Sequence, residues 1–399
     1  MSELRALLTP AGLELLDAVG PIESTADVAR AVSRLRAADH SPELVSAVVG
    51  QAHLRSKAAA KFGPFAARML FTRAGLEQAT RLGVAARHAQ RIRQAGFTRV
   101  ADLGCGIGGD ALAFAGAGLD VHAVDADEVT AALAAYNLAP FGDSAVVSHG
   151  TAEDAFSTRE AGGAVWMDPA RRTSGHSETR RVSSDDYSPS LDWAFDVAAH
   201  HPTGIKLGPA HDRDALPTDA EAQWVSADGS VVELVVWSGA LARAGVRRAA
   251  LVIRDERSHE LTAPADAPDE PVRELGAFLH EPDGAVIRAR LIGEVARSLD
   301  AGMLDEHIAY LTSDTALTSP FVQSFRVRET LPASPKAISA ALKAHGIGRL
   351  EIKKRGVDID PAAFRKKLTL RGDQEATLIL ARIGDQRRAI LADRVPAAN

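Results

Sequence analysis

The sequence of 399 residues predicts an α/β protein in three stretches. These are a helical N-terminal region, a parallel sheet with helices on both faces, and a smaller α/β module at the C-terminal end. Three observations carry this reading. Apolar residues recur at three- and four-residue spacing up to about residue 95. From Phe97 onward, short apolar runs alternate with helical stretches, as strands buried on both faces require. A stretch rich in proline and acid, "TAPADAPDEP" at 262–271, then reads as a linker. The predicted boundaries are 1–95, 96–258, a connecting α/β segment at 259–324, and 325–399.

Taken in order, "PELVSAVVGQAHLRSKAAAKF" and "AGLEQATRLGVAARHAQRIRQAG" are helices, the second stopping at Gly96. The strands are "TRVADL", "DVHAVD", "SAVVSHG", "GAVWMD", "TGIKLG", "SVVELVVWS" and "RAALVIR". The last two lie close together around "SGALARAG" and are expected to pair antiparallel at one side. The chain ends in "GRLEIKKRGVDIDPAAFRKKLTLRGDQEATLILARIGDQRRAIL", the smaller α/β unit.

Composition excludes several classes. A chain 46% hydrophobic and 25% charged can bury sizeable cores. No apolar run approaches the roughly 18 residues of a membrane span, so no membrane partner is expected. The N-terminus lacks a basic region followed by an apolar stretch, so no signal peptide is read. The single cysteine, Cys105, rules out an intrachain disulfide and a cysteine zinc cluster, which suits the cytoplasm. His200, His201 and His280 lack convincing ligand partners, so no metal is expected. The net charge of −6 argues against indiscriminate polyanion binding by the whole molecule.

The stretch "VADLGCGIGGDALAFAGAGLDVHAVDAD", 100–127, holds the strongest chemical signal. A strand ends in Asp102, a glycine-rich loop follows, and a helix starts near Asp110. Glycine admits sharp bends and close approach of a ligand to main chain. The helix N-terminus adds free N–H groups and a positive dipole end. Asp125, at the end of the next strand, stands where an acid commonly accepts hydrogen bonds from ribose hydroxyls. Two ligands fit. Gly104, Gly106 and Gly109 satisfy G-x-G-x-x-G, the dinucleotide fingerprint. Asp102, Gly104, Gly106 and Gly108 also satisfy D-x-G-x-G-x-G, which resembles motif I of the class I methyltransferases and implies S-adenosylmethionine. The acid favours the second. A carboxylate repels a pyrophosphate but attracts an ammonium and a sulfonium, by on the order of 4 kcal/mol at about 4 Å and an effective dielectric near 20, before desolvation.

That resemblance extends along the chain. "QATRLGVAARHA", the glycine stretch and "VWMDPARR" look like the branch of class I methyltransferases related to trimethylguanosine synthase. "HEPDGAVIRA" and "LEIKKRGVDIDPAAFRKKL" resemble bacterial members with a C-terminal THUMP-like domain. The resemblance implies a Rossmann-like, seven-stranded methyltransferase domain acting on RNA, often at guanine N2. It implies cofactor contacts at Thr80, Asp102, Gly104, Gly106, Gly108 and Asp125. Asp154, with Glu153 as the alternative, stands in the loop that often caps the adenine amine. It also implies catalytic roles for Asp168 and Pro169, a carboxylate and a held carbonyl accepting an amine's two hydrogens so that its lone pair faces the methyl group. The family's second proline is Ala170 here, and Arg171 stands where an aromatic often stacks on the base. Stacking then falls to Tyr187 or Trp193, or the target is not a base; Arg171 and Arg172 suit a phosphate or carboxylate.

Charge is uneven. Residues 349–388 carry eleven Lys or Arg and six Asp or Glu, a net +5, so the rest carries −11. Lys353, Lys354, Arg355, Arg365, Lys366 and Lys367 are the candidate phosphate contacts of an RNA-binding module. Aromatics are sparse there, which favours shape recognition of structured RNA over base stacking. The competing expectations are a methyltransferase of a small molecule or a protein, and a non-catalytic RNA-binding protein with a vestigial cofactor pocket.

Overall fold

The computed structural model describes residues 6–158, 162–171, 186–255 and 257–396, with the backbone only at Arg171. Two compact units emerge. The first holds Met1–Leu207, Ala215–Ala220 and Val236–Arg243; the second holds Gly208–Asp214, Glu221–Val235 and Ala244–Asn399.

Unit 1 begins with helices Pro10–Val19, Thr25–Ala37 and Pro42–Phe62. Each start is chemically marked. Thr9, Ser24 and Ser41 accept from backbone N–H groups, Asp27 completes a capping box, and Pro10 and Pro42 need no amide partner. Their apolar stripes meet in a core of Leu16, Ile22, Leu35, Val45 and Val48. Helices Arg73–Gln78 and Leu82–Gln94 lead into the sheet.

Its strands are β1 (Arg99–Leu103), β2 (Asp120–Asp125), β3 (Ala145–His149), β4 (Ala164–Met167), a short antiparallel pair β5 (Ala170–Arg171) and β6 (Tyr187–Ser188), and β7 (Thr203–Leu207). β7-β4-β1-β2-β3 run parallel in that order. Helices Gly109–Gly116, Glu128–Leu138 and Ala152–Thr158 follow β1, β2 and β3. This is a Rossmann-like, doubly wound order with its switch point between β1 and β4, where ligands sit at the carboxyl ends of strands. β4 and β7 are buried throughout. Gly204 is required between them: a Cβ there would lie 2.7 Å from the Trp166 ring and 2.8 Å from that of Trp237.

Unit 2 carries β8 (Glu221–Ala227), the larger part of β9 (Ser230–Ser238), β10 (Arg248–Arg254) and β11 (Arg257–Ala263). The expected antiparallel pairing of β9 with β10 does not occur. β10 pairs parallel with β8 and antiparallel with β11. Arg254 faces Arg257 across a tight turn whose Asp255 has φ +48°, the left-handed conformation such hairpins need. The charged, mostly exposed "RSHELTA" concealed that strand.

A seven-stranded sheet completes unit 2: β12 (Phe278–Pro282), β13 (Gly302–Asp305), β14 (Ile308–Ser313), β15 (Val322–Pro332), β16 (Ile347–Arg355), β17 (Gln374–Ile383) and β18 (Gln386–Arg394). The order is β13-β14-β12-β15-β18-β17-β16, with β16 and β17 the parallel pair. Helix Pro335–Ala344 packs Ile338 and Leu342 against Leu350, Leu378 and Leu391. Among the described residues, no helix is long and apolar enough to cross a membrane.

Candidate active site

Parallel register assembles the site. Asp102 pairs with Trp166 and Ala123, while Met167 pairs with both Leu103 and Ile205. Asp102, Asp125, Asp168 and Lys206 therefore gather at the carboxyl ends of four neighbouring strands, β1, β2, β4 and β7.

The loop after β1 turns on glycines. Gly104, Gly106 and Gly108 have φ of +94°, +56° and +83°, a region that side chains rarely adopt. Gly104 N and Cys105 N both donate to Val124 O at 2.9 Å, drawing the loop onto β2. A Cβ on Gly106 would meet nothing within 4 Å, so open space lies over the turn. Asp125 braces the loop from below, accepting from Gly106 N and Asp127 N at 2.9 Å each. Burial raises its pKa above the ordinary carboxylate value.

Asp102 is 1% exposed, and neither carboxylate oxygen has a hydrogen-bond partner among the described residues. Burial, then the neighbouring Asp110 and Asp168, push its pKa well above the usual carboxylate range. A buried, unpaired carboxylate is costly unless a cation meets it. The chemistry of this site thus calls for a small cationic ligand over a bare-backbone turn, which is what the ammonium and sulfonium of S-adenosylmethionine supply and a pyrophosphate does not.

Behind the loop, a second group of charges is fully paired. Asp110, in the first turn of helix Gly109–Gly116, accepts from His88 Nδ1 and Thr80 Oγ1, each at 2.8 Å, and lies 3.6 Å from Lys206 Nζ. Burial alone would raise its pKa, but Lys206, His88 and Thr80 hold it down to about 2. Lys206 Nζ donates to Thr80 Oγ1 at 2.8 Å and reaches Asp168 Oδ2 at 2.5 Å. Asp168 keeps 35% of its side chain exposed. Its carbonyl oxygen lies 3.4 Å from where a Gly104 Cβ would stand, so the Asp168-Pro169 turn adjoins the glycine loop.

The structure places the other sequence-predicted residues as follows. Thr80 is buried, its hydroxyl engaged by Asp110 and Lys206. Asp154 is exposed in the first turn of its helix and accepts from Thr151 Oγ1 at 2.8 Å. Tyr187 is 5% exposed, so its ring is not open for stacking. Trp193 meets Phe156 edge-on at 5.6 Å. Arg172 lies outside the described residues, as does the side chain of Arg171.

On β16, strand alternation separates the basic residues. Lys353 pairs with Glu281 at 2.6 Å, and Arg355 lies 3.6 Å from the same carboxylate and 5.3 Å over the Tyr310 ring. Lys354, Lys366 and Lys367 are exposed, with no ion pair among the described residues, and exposed Arg365 donates to Leu350 O. His280 is buried between Ser324 Oγ at 2.8 Å and Ser313 Oγ at 3.0 Å, and burial lowers its pKa to about 4.

Sequence reasoning missed His88, Asp110 and Lys206. One signal was available: Lys206 is the lone charge inside the apolar run "TGIKLG", and lysine is almost never buried unless paired.

Comparison with known proteins agrees with this geometry. A family model described as THUMP domain-like matches residues 322–394, and one described as a domain of unknown function (DUF8688) matches 1–58. Two relatives from Mycobacterium tuberculosis, strains CDC 1551 / Oshkosh and H37Rv, are named as uncharacterized S-adenosylmethionine-dependent methyltransferases. Each is 34% identical over 359 residues, covering 88% of this chain and 95% of the relative. The crystal structure of a candidate methyltransferase from Porphyromonas gingivalis W83 superposes with a TM-score of 0.73 at 19% identity, over 94% of this chain and all of that one, and shows the same fold. The buried carboxylate of Asp102 beside the glycine turn and the match along nearly the whole chain lead to one conclusion: the chain belongs to the S-adenosylmethionine-dependent methyltransferases, and S-adenosylmethionine is its methyl donor.

Proposed function

We propose that this methyltransferase modifies RNA at the exocyclic amine of a base, with guanine N2 favoured. The observation that carries the reading is the Asp168-Pro169 turn, which stands beside the glycine loop with a partly exposed carboxylate. The THUMP domain-like match over 322–394 supports the RNA substrate, as do Lys354, Lys366 and Lys367 on its surface.

In this reading Asp102 holds the donor's ammonium, and Gly104, Gly106 and Gly108 leave room for it over the turn. Asp125 holds the loop and offers its remaining lone pairs to the ribose; Asp154 faces the adenine end. The donor supplies a methyl group already activated on a sulfonium, so most of the rate enhancement falls to positioning and electrostatics. The Asp168 carboxylate and the Pro169 carbonyl accept the two amine hydrogens and turn the lone pair toward the methyl carbon. As the N–C bond forms and the S–C bond breaks, the nitrogen becomes acidic, and the Asp168 carboxylate takes the proton it sheds. Lys206 keeps that carboxylate in place.

The test is labelled methyl transfer into total RNA from a strain lacking the protein, followed by nucleoside mass spectrometry. Label in N2-methylguanosine, lost with Asp168→Ala, is expected. Donor binding without incorporation into any RNA would exclude the reading.

A further inference from the structure

The basic C-terminal stretch is not the most cationic part of the chain. Residues 53–99 carry ten Lys or Arg and one acid, Glu77, a net +9 within a molecule of net −6. Some of these charges are committed locally. Arg55 pairs with Asp17 at 2.8 Å, Lys61 donates to the carbonyls of Leu76, Glu77 and Ala79 at 2.8 Å each, and Arg91 donates to Leu241 O. Lys57 and Arg73 are exposed and have no ion pair among the described residues. They line one cavity of about 340 Å³ together with His53, Leu54, Leu76 and Glu77. His53 also lines it, its Nδ1 donating to Ile22 O at 3.2 Å.

One wall of this cavity is formed by a segment that also reaches the glycine loop. Arg73 opens the short helix Arg73–Gln78, and Gly75 on that helix packs so tightly on the glycine loop that a Cβ would lie 2.5 Å from Ile107 Cγ2. The same segment runs on to Thr80, which touches Lys206.

We infer that Lys57 and Arg73 form a phosphate-binding face in the N-terminal helical region that holds the RNA backbone near the site of methyl transfer. This inference rests on the RNA reading above. The polyanion is contacted by the unit that carries the chemistry, so the basic C-terminal stretch is not the sole source of affinity. The single acid, Glu77, weakens attraction at one rim of the cavity without cancelling two cations.

The experiment compares the full-length protein with a Lys57→Ala/Arg73→Ala double variant by fluorescence anisotropy on labelled, unfractionated tRNA across a salt series. Donor binding by calorimetry, expected unchanged, verifies the fold. Each lost phosphate contact lowers the slope of log affinity against log salt by about 0.7 to 0.9, so the double variant should lose about 1.6, roughly 40-fold in affinity at 0.1 M salt. An unchanged slope in a variant that still binds tRNA overturns the inference and leaves the RNA reading standing. Failure of the unsubstituted protein to bind tRNA overturns the inference, and the RNA reading falls with it only if no RNA accepts labelled methyl groups.

Discussion

Replacing Asp102 with asparagine should move stability and donor affinity in opposite directions. The carboxylate is 1% exposed with neither oxygen partnered among the described residues, and burial together with Asp110 and Asp168 raises its pKa well above its ordinary 3.8. The sign follows from proton counting. Between 3.8 and the raised value the folded chain binds more protons than the unfolded one, so this group's contribution falls as pH rises and its full penalty is present above the raised value. The amide of the variant carries no charge at any pH. Removing a buried, unpaired charge should therefore stabilise the ligand-free protein by about 1–3 kcal/mol at neutral pH. That is roughly 2–4 °C of Tm per kcal/mol for a unit of this size. The gain should vanish as pH falls to about 4. Donor affinity should drop, because a hydrogen bond to a charged group is worth about 1.5–3 kcal/mol, or about 10- to 150-fold in Kd. Below the raised pKa, the unsubstituted protein should also release a proton on binding, since the acid must ionise to meet an ammonium. Calorimetry in buffers of differing ionisation enthalpy reads that proton, and the variant should show none. A variant that is less stable at neutral pH, or that binds S-adenosylmethionine with unchanged affinity and proton release, would refute the assignment.

Two further outcomes follow from the paired charges and the close packing. Lys206→Met leaves Asp110 and Asp168 without their ammonium, and breaking a buried pair costs about 3–5 kcal/mol. The variant should melt well below the unsubstituted protein. It should also lose the resistance to acid that Asp110 confers, since a carboxyl held down to about 2 contributes stability above its ordinary 3.8 that disappears as pH falls between those values. Thermal melts from pH 7 to pH 3 check this; equal acid sensitivity in the two proteins would contradict it. Gly75→Ala puts a methyl group 2.5 Å from Ile107 Cγ2 and 2.8 Å from Thr72 Oγ1. Overpacking of that kind costs about 1–3 kcal/mol, and because Ile107 belongs to the glycine loop, calorimetry should show weaker donor binding as well as a lower Tm.

What the sequence disclosed was whatever is written in local pattern. The strands "VADL", "HAVD" and "VWMD" are apolar because both faces are covered, and Asp102, Asp125 and Asp168 stand out as the acids that close them. The glycine loop was legible because its left-handed φ angles leave little choice of residue. What stayed hidden depends on distance in sequence. His88 reaches Asp110 across 22 residues and Lys206 reaches Thr80 across 126, and no spacing rule links them. β11 was missed for a different reason: its residues are mostly exposed, so only the turn at Asp255 marks it. The basic residues of β16 read as one patch, yet alternation turns Lys353 and Arg355 toward Glu281 and leaves Lys354 exposed.

The paired and unpaired acids belong to one arrangement. Lys206 sits 2.5 Å from Asp168 and 3.6 Å from Asp110, so its charge is spent on those two. Its pull on Asp102 is smaller than the opposing push of burial and of the same two acids. A cation placed one strand closer, on β4 rather than β7, would neutralise Asp102 from within and remove the reason for a cationic ligand to bind. The strand order β7-β4-β1 keeps Lys206 two strands from Asp102 and beside Asp168. The same placement therefore holds the Asp168 carboxylate, the proposed catalytic group, in position and leaves Asp102, the proposed cofactor acid, without a neutralising charge among the described residues.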